Sequence, residues 1–170
     1  MKEVLLMLAS ELKGRAIMAV ASADVLGHVD DVLFDQHYAT ILGFRLKHGL
    51  LGSTKAVLRT SVNTIGTDAI TVGDATAVND EGHFAALEGA TPLSAIVGTR
   101  VVTASGNLLG TIGDVDIDTT AQQVNNYQMA TSLAEKLTHH HPFITVDKVV
   151  QIGAGGVMIV PDASAESAGA

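Results

Sequence analysis

The stretch Leu26-Gly27-His28-Val29-Asp30-Asp31-Val32-Leu33-Phe34-Asp35 decides the fold, because the chain repeats its pattern as Leu109-Gly110-Thr111-Ile112-Gly113-Asp114-Val115-Asp116-Ile117-Asp118. The glycine, most of the apolar positions and two aspartates recur at an offset of 83 residues, as from Asp35 to Asp118. A repeat of this length is domain-sized, since solenoid units are shorter and occur in longer arrays. The chain therefore carries two copies of one unit.

The correspondence extends in both directions from this stretch. Upstream, Gly14 corresponds to Gly98 at an offset of 84, and downstream Ile65-Gly66 corresponds to Ile152-Gly153 at an offset of 87. The extra residues of the second copy fall in one place, between Tyr127 and Phe143. The two copies thus share a scaffold and differ mainly in one connection.

Each copy is predicted to consist of short strands, because apolar or alternating runs are separated by Gly, Asp, Asn and Ser. In the first copy these runs are 17–20, 27–34, 40–46, 55–58 and 69–72. Residues 61–66 predict a single helical turn that ends at glycine, and residues 133–137 a second short helix. The predicted fold class is mainly β: two tandem small antiparallel barrels with short helical turns, in which closure removes exposed strand edges.

The predicted domain organisation follows from the repeat. Residues 1–75 form the first barrel, 76–92 a linker that partly docks, 93–162 the second barrel and 163–170 a flexible tail. Each half is near the size at which a single core is marginal. We therefore expect the halves to pack on each other or on a second chain.

Composition narrows the classes of function. The net charge of −8 makes the chain a poor partner for nucleic acid. The absence of cysteine excludes disulfides and thiolate metal sites. The apolar run 4–9 is too short for a signal peptide, and no stretch approaches the roughly 20 apolar residues of a membrane span. We expect a soluble cytoplasmic protein, with peripheral association at a membrane surface left open.

Several motifs of the first copy resemble the PRC-barrel family. They are Leu12-Lys13-Gly14, the stretch 26–35, Ile41-Leu42-Gly43-Phe44-Arg45-Leu46, Ile65-Gly66 and Ala69-Ile70-Thr71-Val72. The family takes its name from the cytoplasmic domain of the photosynthetic reaction centre H subunit and includes the C-terminal domain of a ribosome maturation factor. The resemblance covers both halves and implies an adaptor that presents a barrel surface to a partner. It also implies, as a narrower alternative, an accessory subunit of a photosynthetic or electron-transfer complex.

Two groups of residues are candidate metal ligands. Asp114, Asp116 and Asp118 alternate, so on a strand they share one face and could hold calcium. The calcium-loop pattern fails beyond them, which favours turn and edge roles for these acids. His139 and His141 could bind zinc or nickel, but their place in an inserted loop favours an exposed polar loop or an incidental binder of added metal.

The basic residues concentrate in the first copy, at Arg45, Lys47, Lys55 and Arg59. Gln128 and Ala130 stand where the first copy has Arg45 and Lys47. This face is either a solvated strand surface that prevents edge pairing or a docking surface for an acidic partner or an anionic lipid surface.

The sequence contains none of the motifs of nucleophilic, phosphate-binding or zinc-protease sites. We therefore predict a non-enzymatic interaction module with no cofactor, whose partner is another protein or, in a homodimer, a second copy. The alternative is a metal or small-molecule binder that uses 139–141 or 114–118.

Overall fold

The computed structural model describes residues 5–130 and 142–162. Within them the chain is mainly β and forms two sheets. The strands of the first half are β1 (Leu6–Leu8), β2 (Ala16–Ala19), β3 (Val25–Phe34), β4 (Ile41–Leu46), β5 (Lys55–Leu58), β6 (Val62–Ile65), β7 (Ala69–Val72) and β8 (Val78–Asp80). The second half has β9 (Thr91–Pro92), helix α1 (Leu93–Ile96), β10 (Arg100–Thr103), β11 (Leu108–Asp118), β12 (Gln123–Met129), β13 (Phe143–Thr145), β14 (Gln151–Gly153) and β15 (Val157–Val160).

Short 3₁₀ turns connect several of these strands. They span Ala9–Leu12, Arg59–Ser61, Ala75–Ala77, Glu81–His83, Ala85–Leu87 and Val146–Lys148. None of the helices in the described ranges is long and apolar enough to cross a membrane.

The two sheets have the same internal order. One runs β6-β7-β2-β3-β4-β5-β8 and the other β14-β15-β10-β11-β12-β13. Each sheet contains one parallel pair of neighbouring strands: β2 pairs with β7 in the first sheet, and β10 pairs with β15 in the second. The prediction of purely antiparallel units was therefore wrong at this one pairing, because alternation within a strand does not specify the direction of its neighbour.

The predicted helical turn at 61–66 was also wrong. The structure places the turn at Arg59–Ser61, and β6 follows it and pairs with β7. Gly66 does not end a helix: its N–H donates to the carbonyl of Ala69 at 2.9 Å and closes the hairpin between these strands. The helix predicted at 133–137 lies outside the described residues.

Each half lends its leading strand to the sheet of the other half. β1 pairs antiparallel with β11, with Leu6 opposite Asp118, and β9 pairs antiparallel with β3, with Leu33 opposite Pro92. The leading strands thus extend the other half's sheet in the manner of an exchanged segment.

A bridge between Thr40 and Gln123 joins the two sheets at the starts of β4 and β12. The Ile41 N–H donates to the Gln122 carbonyl at 3.0 Å, and the Val124 N–H donates to the Ala39 carbonyl at 2.8 Å. At the offset of 83, Ile41 corresponds to Val124 and Ala39 to Gln122, so the repeat relates these two hydrogen bonds to each other, and the bridged Thr40 and Gln123 are equivalent. The halves are therefore related by an approximate two-fold axis through this bridge.

Two serine–aspartate pairs also cross between the halves. Ser94 Oγ donates to Asp31 Oδ2 at 2.6 Å, and Ser10 donates to Asp114 through its backbone N–H at 3.2 Å and through its hydroxyl. Asp31 is only 5% exposed and also accepts the Val32 N–H at 2.9 Å. The repeated aspartate of each long strand therefore holds the start of the other half's helical turn.

The largest hydrophobic core includes residues of both halves. Ile17, Phe44 and Val57 of the first half belong to the same cluster as Ile112 and Tyr127 of the second. Two strands, β8 and β9, lie in the segment 76–92 that the sequence analysis assigned to a linker. The connection between the halves is therefore built into the first sheet.

Candidate functional site

The hairpin of β4 and β5 brings the predicted basic residues against the connector that follows β7. Arg45 in β4 donates from Nε and Nη2 to the two carboxylate oxygens of Glu81, at 2.8 and 2.9 Å. Glu81 begins the turn after β8. This bidentate hydrogen bond raises the pKa of Arg45 and lowers the pKa of Glu81. Arg45 therefore holds the connector on the sheet.

Lys55 in β5 makes a second pair with the same connector. Its Nζ lies 2.5 Å from Asp80 Oδ1, and the Ser53 hydroxyl donates to the same oxygen. These hydrogen bonds lower the pKa of Asp80. His83 Nδ1 lies 3.8 Å from the other oxygen of Asp80. Two of the four predicted basic residues are therefore neutralised within the chain.

Lys47 and Arg59 lie on either side of this pair. Lys47 is exposed just beyond β4, where its backbone N–H donates to the His28 carbonyl at 2.8 Å. Arg59 is half-buried and begins a 3₁₀ turn; its carbonyl lies 3.4 Å from Gln122 Nε2. Lys47 and Lys55 are thus the exposed cations of the predicted face, and Lys55 is the one that pairs with Asp80.

The loop between β4 and β5 carries a feature that the sequence analysis missed. Leu50 and Leu51 are fully exposed, with relative accessibilities of 105% and 95%. Gly49 and Gly52 flank them, and Gly52 has a φ of +112°, a conformation that favours glycine. The signal was present as two leucines between glycines inside a loop, which no core requires. We call residues 47–54 the hairpin tip.

A depression of about 710 Å³ lies beside the hairpin tip. Asp80, Glu81, His83, Phe84 and Glu88 contribute to its lining. Apart from Ser53 and Thr54, its lining residues belong to the connector, between positions 80 and 88. This end of the first half therefore combines a convex apolar tip with a concave, acidic surface.

Close packing fixes the connector under this depression. Leu87 forms a small apolar cluster with Leu33 and Ala56 on the outer face of the first sheet. Gly43 makes room for it, because a Cβ there would lie 2.5 Å from the Val57 carbonyl oxygen and 3.1 Å from a Leu87 methyl. The first half thus buries an outer face that a solitary sheet would expose.

The structure gives each predicted acidic ligand a different environment. Asp114 binds Ser10, and Asp118 Oδ1 accepts the backbone N–H groups of Thr120 and Ala121 at 2.9 and 3.1 Å. Asp116 Oδ2 accepts from Gln128 Nε2, at 3.3 Å. Among the described residues, no group of three or more His, Cys, Asp or Glu side chains is placed to hold a metal ion. His139 and His141 lie outside those residues, so their role stays a prediction.

Comparison with known protein families identifies a domain in the second half. Residues 88–166 match the model of the PRC-barrel domain. A PRC-barrel domain is therefore found there, as the repeated motifs predicted for that copy. The chain matches no curated protein sequence.

Proposed function

We propose that the chain is a non-enzymatic protein-interaction adaptor made of two PRC-barrel domains in tandem. The family match supports the second domain. The first is supported by its strand order, which repeats β10–β15 from β2 to β7, including the parallel pairing. Family resemblance suggests that such a domain presents its surface to another protein.

The hairpin tip is the observation that carries the proposal. Moving a leucine side chain from water into an apolar pocket contributes about 1.5–3 kcal/mol. Leu50 and Leu51 leave that contribution unused in the isolated chain, since both are fully exposed. Their convex position fits a concave apolar pocket on a partner. The net charge of −8 disfavours an anionic membrane as the surface that they contact.

The ion pairs within the chain indicate which basic residue belongs to the proposed interface. Arg45 and Lys55 hold Glu81 and Asp80, so they stabilise the connector. Lys47 is exposed beside the leucines. We therefore propose Lys47, Leu50 and Leu51 as the binding residues and Arg45 and Lys55 as their structural support.

Site-specific photo-crosslinking from the neighbouring Ser53 tests this proposal. We expect one discrete crosslinked protein with the wild type and its loss in the Leu50→Ser, Leu51→Ser variant. The double variant should unfold at the same urea concentration as the wild type, because surface changes usually alter stability by less than about 0.5 kcal/mol.

Val20→Ser is the matched control. Val20 is also exposed, at 64%, but it lies in the loop between β2 and β3. Its substitution should leave the crosslinked product unchanged. Retention of the product in the double leucine variant would overturn the proposed interface.

A further inference from the structure

Within the residues that the structure describes, the two halves differ at one equivalent strand edge. β5 has β4 on one edge and β8 on the other, with Ala56 opposite Asn79 and Val57 opposite Val78. β13 is the counterpart of β5 and pairs with β12. Across 5–130 and 142–162, no strand pairs with the other edge of β13. The first half therefore shows that an edge of this kind can pair with a further antiparallel strand.

The pairing with β12 defines which backbone groups face that edge. The Met129 N–H donates to the Pro142 carbonyl at 2.9 Å, and Tyr127 lies opposite Ile144. Successive residues of an antiparallel strand direct their backbone groups to alternate sides. The N–H and C=O groups of Phe143 and Thr145 therefore face away from β12.

The side chains beside this edge differ from those of the first half. Phe143 is 44% exposed, whereas its counterpart Ala56 is buried. Asp116 stands where the first half has the buried Leu33. Gln128, opposite Phe143, contacts Asp116. The second half thus presents an aromatic ring and a carboxylate on the face that the connector covers in the first half.

We propose that the outer edge of β13 is a strand-addition site for an extended segment of a partner protein. The segment pairs antiparallel, in the register that β8 uses on β5. It places an apolar side chain against Phe143 and carries lysine or arginine, whose positive charge complements the net charge of −8 of this chain. Main-chain hydrogen bonds supply affinity in this mode of recognition, and the alternate side chains supply specificity.

Charge favours a different protein over a second copy as the occupant. Pairing of β13 with β13 of another copy would bring together two chains of net charge −8. A net charge far from zero opposes association with a second copy. A basic segment has the opposite effect. This site is separate from the hairpin tip and adds a second binding surface to the adaptor.

Selection from a phage-displayed random peptide library on the full-length protein provides the probe. We expect enriched peptides that combine an apolar residue with lysine or arginine. Fluorescence anisotropy should show binding weakened at least tenfold by Phe143→Ser and by Thr145→Pro. Proline fits position 145, where φ is −73°, and it removes the outward N–H donor.

Two variants serve as controls. Val150→Ser changes an exposed apolar residue of the same half and should leave peptide affinity unchanged. Leu50→Ser, Leu51→Ser should also leave it unchanged, which separates this site from the hairpin tip. If Thr145→Pro does not fold, Phe143→Ser and amide exchange decide the question.

Amide hydrogen exchange supplies the independent measurement. In the isolated protein, the amides of Phe143 and Thr145 should exchange quickly, and a bound peptide should slow both. Slow exchange before peptide is added would overturn the proposal, because the chain would then cover its own edge. Failure to enrich peptides, unchanged binding by Thr145→Pro and Phe143→Ser, or a dimer that Phe143→Ser disrupts would each overturn it as well.

Discussion

Tyr127 and Phe44 occupy equivalent places in β12 and β4, and one hydroxyl group distinguishes them. The Tyr127 hydroxyl donates to the backbone carbonyl of Tyr38 at 2.8 Å in the core. Tyr38 has a φ of 55°, which is uncommon for a residue other than glycine. Burial raises the pKa of Tyr127. The second half thus uses a phenol to hold a strained turn of the first half.

Tyr127→Phe should lower the free energy of unfolding by about 1–3 kcal/mol, because the buried Tyr38 carbonyl loses its donor. Urea denaturation measures the change. The neutral Tyr127 hydroxyl makes its full contribution to the free energy of unfolding below its ordinary pKa of 10.0. This contribution is lost as the pH rises above that value, because the folded state disfavours the phenolate.

Tyr38→Phe is the control for this substitution, because the acceptor is a backbone carbonyl that the change retains. It should destabilise the protein less than Tyr127→Phe does. Equal stabilities for Tyr127→Phe and the wild type would contradict the role of the hydroxyl.

The ion pair of Arg45 and Glu81 should make the stability of the fold depend on pH. The pKa of Glu81 in the folded protein lies below its ordinary value of 4.5. The carboxylate therefore makes its full contribution to the free energy of unfolding above pH 4.5, and this contribution is lost as the pH falls through the lowered pKa. Glu81→Gln should reduce stability near pH 7 by about 0.5–1.5 kcal/mol. The difference from wild type should shrink below pH 4.5.

Thermal unfolding across this pH range provides the measurement. Glu88→Gln changes an exposed acid of the same connector and should follow the wild type. A constant difference between Glu81→Gln and the wild type at every pH would show that the ion pair is not its source.

Sequence reasoning could predict some of these residues and not others. The turn role of Asp118 follows from its place after an apolar strand, and its side chain does accept two turn N–H groups. The partner of Arg45 could not be predicted, since Glu81 lies 36 residues further on in a polar segment that is typical of a linker. Ion pairs over such distances depend on the register of strands that the sequence does not specify.

At the scale of elements, the exchanged leading strands organise the boundary between the halves. β1 and β9 are too short to show a period, so their pairing with β11 and β3 left no local signal. The longer strands were predicted to within two residues in the first half because their alternation is local. Two features could not be predicted because they depend on residues far apart in the sequence. They are the parallel pairing of β2 with β7 and the exchange of the leading strands between the halves.

The two serines of the boundary should contribute unequally. Ser94→Ala should cost about 1–3 kcal/mol, since Asp31 is buried and loses a hydroxyl donor, whereas Ser10→Ala should cost about 0.5–1 kcal/mol at an exposed pair. Chemical denaturation of both variants under the same conditions gives the comparison.

Ser105→Ala is a third variant for reference, because Ser105 also donates to an exposed aspartate but within one half. It should behave like Ser10→Ala. A larger loss for Ser10→Ala than for Ser94→Ala would contradict burial as the cause.

At the scale of the whole molecule, the shared core and the exchanged strands make each half incomplete by itself. Without the second half, β3 lacks β9, and Asp31 lacks Ser94. The contact of β4 with Gln123 is lost as well. A second copy of the same half could replace all three contacts, because the halves are related by an approximate two-fold axis.

Residues 1–88 produced alone should therefore be less stable than the full chain or form a dimer. Analytical ultracentrifugation and thermal unfolding distinguish these results. The full chain should unfold in one transition, since its main core spans both halves. A stable, monomeric half with the melting temperature of the full chain would contradict this view.

The order of synthesis gives the exchange of β1 a further consequence. A ribosome releases Leu6 long before it has added Asp118, the residue that β1 must meet. During that interval the first half can form the hairpin of β2 and β3, but the leading strand has no partner in the emerging chain. β11 therefore captures β1, and the fold closes only after Asp118 has been synthesised.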